Sequence, residues 1–203
     1  MINVKTVNNI VDAFPVGLYA QPNVLTVEEN AMLTQKVYKL RETFGAGNTR
    51  DWLSGTLSPD NCYNMSNIAE YLEFRPLVER VTQCVQELAQ AHGSDDMYNC
   101  TEGWYNIYSS NRYQEYHVHP YAIFSAVYFM KSDKDAQGLH IKRPDFGGML
   151  PPKNKKRETP YNQEVIIAPP QERTVIVFRS YLEHMVPPTT LKNDRITVAM
   201  NFA

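Results

Sequence analysis

Hydrophobic and polar residues change their spacing once along the chain, near residue 97. Upstream the spacing is helical. Thr26-Val27-Glu28-Glu29 reads as a capping box, in which a hydroxyl and a carboxylate satisfy the open N–H groups of a helix start. Ala31, Leu33, Val37, Tyr38 and Leu40 follow as one stripe that stops at Gly45. After a polar loop from Asn48 to Asn64, Ser66 caps an expected second helix through Leu72, and Pro76 suits the first turn of a third. Leu77, Val81, Val85, Leu88 and Ala89 give that third helix its apolar face, and Gly93 closes it. The opening 25 residues read as an irregular lead-in or an edge strand.

From Met97 onward the period is two. Trp104, Asn106 and Tyr108 fall on one face of a strand, Tyr105 and Ile107 on the other. Further strands are expected at Gln114–His119, Ile123–Met130, Gly138–Lys142, Glu164–Ala168, Thr174–Phe178 and Arg195–Phe202, parted by Gly, Pro and Asp. Seven short strands with no helices between them exclude a doubly wound parallel sheet. They point to a mainly β protein of the α+β class, an antiparallel sandwich or jelly roll built on helices. The expected organisation is one compact domain, with residues 1–95 as a helical support and 96–203 as the β core. The stretch Gly147 to Tyr161, rich in Pro, Lys and Asn, is expected to be a long loop at one mouth of the core, a lid or binding element.

Charge adds mainly exclusions. With 20 Lys and Arg against 22 Asp and Glu, the net charge of −2 leaves no electrostatic footprint for nucleic acid. No apolar run is long enough for a membrane span, and Met1 to Ala13 lacks the apolar stretch of a secretory signal, so a cytoplasmic location is expected. Cys62, Cys84 and Cys100 are too few and too scattered for a disulfide framework or a zinc cluster. No Ser-His-Asp arrangement or Gly-rich phosphate loop is present.

The histidines change the picture. His117 and His119 are one residue apart in a strand-like segment, so a period of two turns both imidazoles the same way, as two ligands of one metal require. His184 follows a strand and a turn further on and could complete a facial triad. The alternative is histidines that merely pack in a sheet. Arg195 opens the last strand, with Thr197, Ala199 and Asn201 on its side. An inward-facing Arg is costly unless it meets an anion, and its planar fork suits a carboxylate, either a ligand's or that of a buried Glu. Glu115, two residues before His117, is a rival to His119 as the second metal ligand.

These residues stand in a familiar order. Trp104-Tyr105-Asn106-Ile107-Tyr108, Tyr116-His117-Val118-His119-Pro120, Ser125-Ala126-Val127-Tyr128-Phe129, Phe178-Arg179-Ser180-Tyr181-Leu182-Glu183-His184, and Arg195-Ile196-Thr197 with Asn201-Phe202 resemble the iron(II)/2-oxoglutarate-dependent oxygenases. More narrowly, the set is similar to a branch of that superfamily found in bacteria and their phages and related to the prolyl hydroxylases. The resemblance covers Trp104 to Phe202. It implies a double-stranded β-helix, with iron(II) held by His117, His119 and His184, and with 2-oxoglutarate and O2 as cosubstrates. It also implies that Arg195 takes the distal carboxylate of 2-oxoglutarate, helped by the hydroxyl of Thr197 or Tyr108, with Asn106 lining the same cavity. The implied reaction is hydroxylation of an unactivated C–H bond of a peptidyl or small-molecule substrate, with release of succinate and CO2. In two places the chain departs from the usual pattern: His119 stands where most members have Asp or Glu, and Phe129 where a Tyr is usual.

Three neutral imidazoles carry one positive charge more with a divalent ion than two imidazoles and a carboxylate, and would also suit zinc or copper. Two other functions therefore stay open on the sequence. One is a cupin-like three-His metalloprotein that does not use 2-oxoglutarate; the other is a non-catalytic jelly-roll binding module. Arg195 separates them from the oxygenase, because only the oxygenase needs a buried cation for an acid's far end.

Overall fold

The computed structural model describes residues 6–7, 10–11, 15–44, 68, 71–133, 136–145 and 154–203. The Ser66 helix start, Gly45, Cys62 and the first part of the Gly147–Tyr161 loop lie outside the described residues.

Two helices come from the first half. Helix α1 spans Val27–Phe44. Its start is the expected capping box: the Thr26 amide donates to Glu29 Oε2 at 2.8 Å, and the Glu29 amide donates to Thr26 Oγ1 at 3.1 Å. Its buried stripe is Asn30, Leu33, Val37 and Leu40, whereas Ala31 is exposed. The polar member of the stripe pins the helix to the sheet, because Asn30 Nδ2 donates to Met130 O and Asn30 Oδ1 accepts from the Tyr128 hydroxyl at 2.7 Å. Helix α2 spans Arg75–Ala91, with Pro76 in the first turn and Leu77, Val81, Cys84, Val85, Leu88 and Ala89 buried. Gly93 ends it at φ +79°, a left-handed conformation that glycine adopts without strain. Arg80 of α2 grips the start of α1 by a fork of two 2.7 Å hydrogen bonds to Glu29.

The strands are β1 (Thr6–Val7), β2 (Ile10–Val11), β3 (Tyr19–Gln21), β4 (Cys100–Tyr108), β5 (Gln114–His117), β6 (Phe124–Lys131), β7 (Leu139–Lys142), β8 (Val165–Ala168), β9 (Thr174–Arg179), β10 (His184–Val186) and β11 (Arg195–Phe202). Strands β1 and β2 form a small hairpin pair. The others make two antiparallel sheets, a five-stranded one ordered β3-β9-β6-β11-β4 and a four-stranded one ordered β5-β10-β7-β8. Among the described residues the protein is mainly β with two α-helices, and Tyr19–Gln21 of the lead-in is the edge strand of the larger sheet.

Alternation sorts the side chains of the larger sheet into two cores. Tyr105, Ile107, Phe124, Ala126, Tyr128, Val175, Val177, Ile196, Val198 and Met200 join α1 and α2 in one. The opposite faces of the same strands supply Tyr108, Val127, Phe129, Ile176 and Phe178 to a second core, which also holds Leu139, Ile141, Ala168 and Val186 of the smaller sheet. All eight residues of β11 are buried, since this central strand is covered on both sides. Gly138 is required where β7 meets β8: a Cβ there would lie 2.1 Å from Ala168 O. No helix among the described residues is long and apolar enough to cross a membrane.

Candidate metal centre

The cavity between the sheets is lined by His117, His119, His184, Asn106, Tyr108 and Thr197, among others. His117 ends β5 and His184 begins β10, and the two are direct cross-strand partners with ring centroids 4.2 Å apart. His119 comes from the bend after β5. Strand β5 ends at His117, so His119 does not reach the cluster by strand alternation. Its backbone is tied in place instead: its amide donates to Ser180 O at 3.0 Å, and its carbonyl accepts from Ala122. The ring lies 5.0 Å from that of His117 and 5.1 Å from that of His184. One potential ligand nitrogen from each of the three imidazoles falls within 4.8 Å of the others, a spacing one metal ion can span.

Backbone carbonyls orient two of the rings. Nδ1 of His117 lies 2.7 Å from Glu115 O, and Nδ1 of His184 lies 2.9 Å from Leu182 O. A carbonyl only accepts, so both Nδ1 atoms donate, and the lone pair of each neutral ring is left on Nε2, the form a metal needs. Burial keeps the rings neutral. It pushes His184 down to about 3, helped by His117, and His119 down to about 4; His117 is lowered too, again by burial. The residues therefore fit a divalent metal.

Glu115 is not part of this cluster. A strict period of two would place it beside His117, but three steps of β5 from Gln114 to His117 face two steps of β10 from Val186 to His184. That bulge turns both Gln114 and His117 toward the cavity.

The register of β4 against β11 sets the rest of the wall. Arg195 faces Tyr108 across the ladder, and Thr197 faces Asn106. Arg195 is 1% exposed and does not itself line the cavity; its guanidinium packs over the rings of Tyr108 at 5.4 Å and Phe129 at 5.7 Å. Nη1 donates to Gln137 O at 2.7 Å, while Nε and Nη2 are buried without a partner. Among the described residues no buried Glu pairs with it. Such orphaned donors are costly in a dry site, so the fork is set to receive an acceptor. Tyr108 donates to Gln114 Oε1, and burial pushes its hydroxyl up to about 12, so it stays a donor. Asn106 Nδ2 reaches Thr197 Oγ1 at 3.4 Å, with its Oδ1 buried and unpartnered.

Residues 102–201 match a family model described as "Putative 2OG-Fe(II) oxygenase". Over that stretch the chain is similar to the 2OG-Fe(II) oxygenases. Among curated proteins none matches it in sequence. Several solved structures share its fold. A prolyl-4-hydroxylase from Pseudomonas putida aligns at 14% identity over 92% of each chain, with a TM-score of 0.63. HygX from Streptomyces hygroscopicus, crystallised with nickel and 2-oxoglutarate, aligns at 12% identity over 93% of this chain and 82% of its own, at 0.64. The epimerase SnoN, in complex with Fe3+, alpha-ketoglutarate and nogalamycin RO, aligns at 11% identity over 92% of this chain and 78% of its own, at 0.65.

A 2OG-Fe(II) oxygenase takes iron(II), with 2-oxoglutarate and O2 as cosubstrates, and the three imidazoles of this chain could hold that metal. Several residues that shape its centre gave no signal of their own in the sequence. Gln114 enters through the bulge, Gln137 through a loop carbonyl, and Glu102, Ser125 and Ser180 through contacts made only in three dimensions. The remaining histidines, His92 and His140, stay outside the cluster. Cys84 and Cys100 are free thiols, and burial pushes both up to about 11, far from a nucleophile's range.

Proposed function

We propose that this protein is an oxygenase that hydroxylates an unactivated C–H bond of a peptidyl or small-molecule substrate. One atom of O2 enters the product and the other enters succinate as 2-oxoglutarate loses CO2. The observation that carries the reading is the convergence of three buried imidazoles in the same intersheet space that leads to an orphaned guanidinium. His117, His119 and His184 would hold the metal. Iron(II), when bound there, supplies the reaction with O2 that side chains cannot perform.

The chain's own residues do the rest. Arg195 presents Nε and Nη2, the side-by-side pair that a carboxylate meets with two parallel hydrogen bonds, to the distal carboxylate of 2-oxoglutarate. Tyr108 and Thr197 add hydroxyl groups, and Asn106 adds a carboxamide on the same wall. Trp104, half-buried and 5.5 Å from the His119 ring, with Phe178 behind His184, keeps the reacting region dry. In this reading the two antiparallel sheets are the halves of a double-stranded β-helix. Residues 96–203 are then the catalytic part, and residues 1–95 the support of one domain. Fold alone does not select the reaction, since one fold hosts many. Hydroxylation is favoured by the likeness to a prolyl-4-hydroxylase.

The test is an anaerobic titration of iron-loaded protein with 2-oxoglutarate, followed by admission of air. The expected results are a weak visible charge-transfer band and then succinate, both absent in His184→Ala. Iron-loaded protein that gives neither band nor succinate overturns the reading. A tightly held metal with no response to 2-oxoglutarate would instead identify a cupin-like metalloprotein, and no metal at all a binding module.

A further inference from the structure

Hydrogen bonds around His119 run in one direction, and that direction is wrong for a metal on its Nε2. His119 Nε2 lies 3.2 Å from His184 Nε2. In its neutral form His184 spends its one ring proton on Leu182 O, so its Nε2 can only accept. The proton between the rings is therefore on His119 Nε2, and His119 Nδ1 carries a lone pair. Asn201 faces that lone pair with Nδ2 at 3.3 Å. The orientation of the Asn201 amide is not arbitrary: Nδ2 also donates to Glu102 Oε2 at 2.9 Å, and Oδ1 accepts from Ser125 Oγ at 2.9 Å. Asn201 is 4% exposed, and it is the cross-strand partner of Glu102, whose side chain is exposed.

A metal on His119 Nε2 requires the proton on Nδ1, where it would confront an N–H of Asn201. Turning the amide over removes the conflict. Oδ1 then accepts from His119 Nδ1, and Nδ2 donates to Ser125 Oγ. The serine can accept because its own proton can swing to Ser180 Oγ, 2.8 Å away, in a pair where either atom can donate. Only Glu102 opposes the turn, since its carboxylate would lose the Nδ2 donor and face Oδ1 instead.

We infer that Asn201 is a positioning residue for the third metal ligand, turning its amide when the site loads, and that Glu102 holds the metal-free orientation and so weakens metal binding. This rests on the reading of His119 as a ligand. It assigns to Asn201 the outer-shell role that a carboxylate or carbonyl commonly plays for a metal-bound imidazole.

Ni2+ binding to the full-length protein, followed by calorimetry and by quenching of tryptophan emission, tests it together with 15N NMR of the histidine rings. Removing the carboxylate in Glu102→Ala should tighten Ni2+ binding about 10-fold, and Asn201→Leu should weaken it by about 10-fold or more, the usual scale of outer-shell effects. Asn201→Asp combined with Glu102→Ala supplies a permanent acceptor and should bind at least as tightly as Glu102→Ala alone. The NMR readout is one a packing role would not move: His119 should carry its proton on Nε2 in the metal-free protein and on Nδ1 with Zn2+ bound. Wild-type protein that binds no Ni2+ would sink the ligand reading itself. Wild-type binding with Glu102→Ala within twofold of it, or a metal-free His119 protonated on Nδ1, would sink this inference alone.

Discussion

Acid should unfold the metal-free protein through His184. The ring is 3% exposed, and burial together with His117 holds it near 3, against about 6.5 for an unfolded histidine. The folded state thus keeps His184 neutral while the unfolded chain takes up a proton as the pH drops below about 6.5. The unfolded state binds more protons, so stability is full above that pH and falls with each unit below it, until the folded ring itself titrates near 3. At about 1.36 kcal/mol per unit, two units of acidification, to pH 4.5, should remove roughly 2.7 kcal/mol. That is a large share of the stability of a typical domain. The assay is urea denaturation, with chelator present, of wild type and His184→Leu at pH 7.0 and 4.5. His119, held near 4, titrates in both proteins and cancels to first order in the comparison, as do the carboxylates. The advantage of wild type over the variant should shrink by about 2–3 kcal/mol between the two pH values. A difference that stays constant within about 0.5 kcal/mol, or grows as the pH falls, would refute the reasoning, because it would mean that His184 is not held neutral by the fold. The same depression has a functional side. Protons compete with a metal for His184 only well below the usual histidine range, so the site stays ready to bind in mildly acidic solution.

Other substitutions probe separate parts of the argument. Arg195→Met should leave metal affinity unchanged within a few-fold but abolish the rise in melting temperature that 2-oxoglutarate gives wild type, about 2.7 kcal/mol of stabilisation at a hundredfold excess over Kd; thermal melts with Ni2+ and increasing 2-oxoglutarate check both. Gly138→Ala places a methyl 2.1 Å from Ala168 O, so β7 and β8 must separate. A loss of about 1–3 kcal/mol in urea denaturation is expected. Asn30→Ala strips Met130 O of a donor and the buried Tyr128 hydroxyl of its acceptor, and should cost about 2 kcal/mol by the same measurement, against under about 0.5 for the exposed neighbour Ala31→Ser.

Local signals carried far where the chemistry is local. The capping box at Thr26 and Glu29 works with whatever lies next to it, and it starts α1 as expected. Alternation in β4 and β11 is a property of one strand at a time: it put Trp104, Asn106 and Tyr108 on one face of β4 and Arg195 with Thr197 on one face of β11, and only the pairing of the two strands joins those faces. The same rule failed in β5, where a bulge against β10 shifts the faces and removes Glu115 from the site. It also failed to give β10 itself: three residues are too few to show a period, and the strand exists because it finds partners in β5 on one side and β7 on the other. In α1 the apolar stripe was read one residue out of place, because the buried position belongs to a polar Asn30 satisfied by a strand 100 residues away.

The amino-acid order alone therefore determined the residue types that could form a centre: three imidazoles and one guanidinium, with Arg195 on a strand whose period of two turns it toward the interior. Tertiary structure decided how they meet. A bend after β5, tethered to Ser180, brings His119 to His184; a register fixes Arg195 opposite Tyr108; and Asn201 comes to face His119 while bound to Glu102. The physical reason is the range of the forces. Periodicity and capping arise between neighbours in the chain, while the direction of a hydrogen bond and the neutrality of a buried ring depend on groups that only folding makes neighbours.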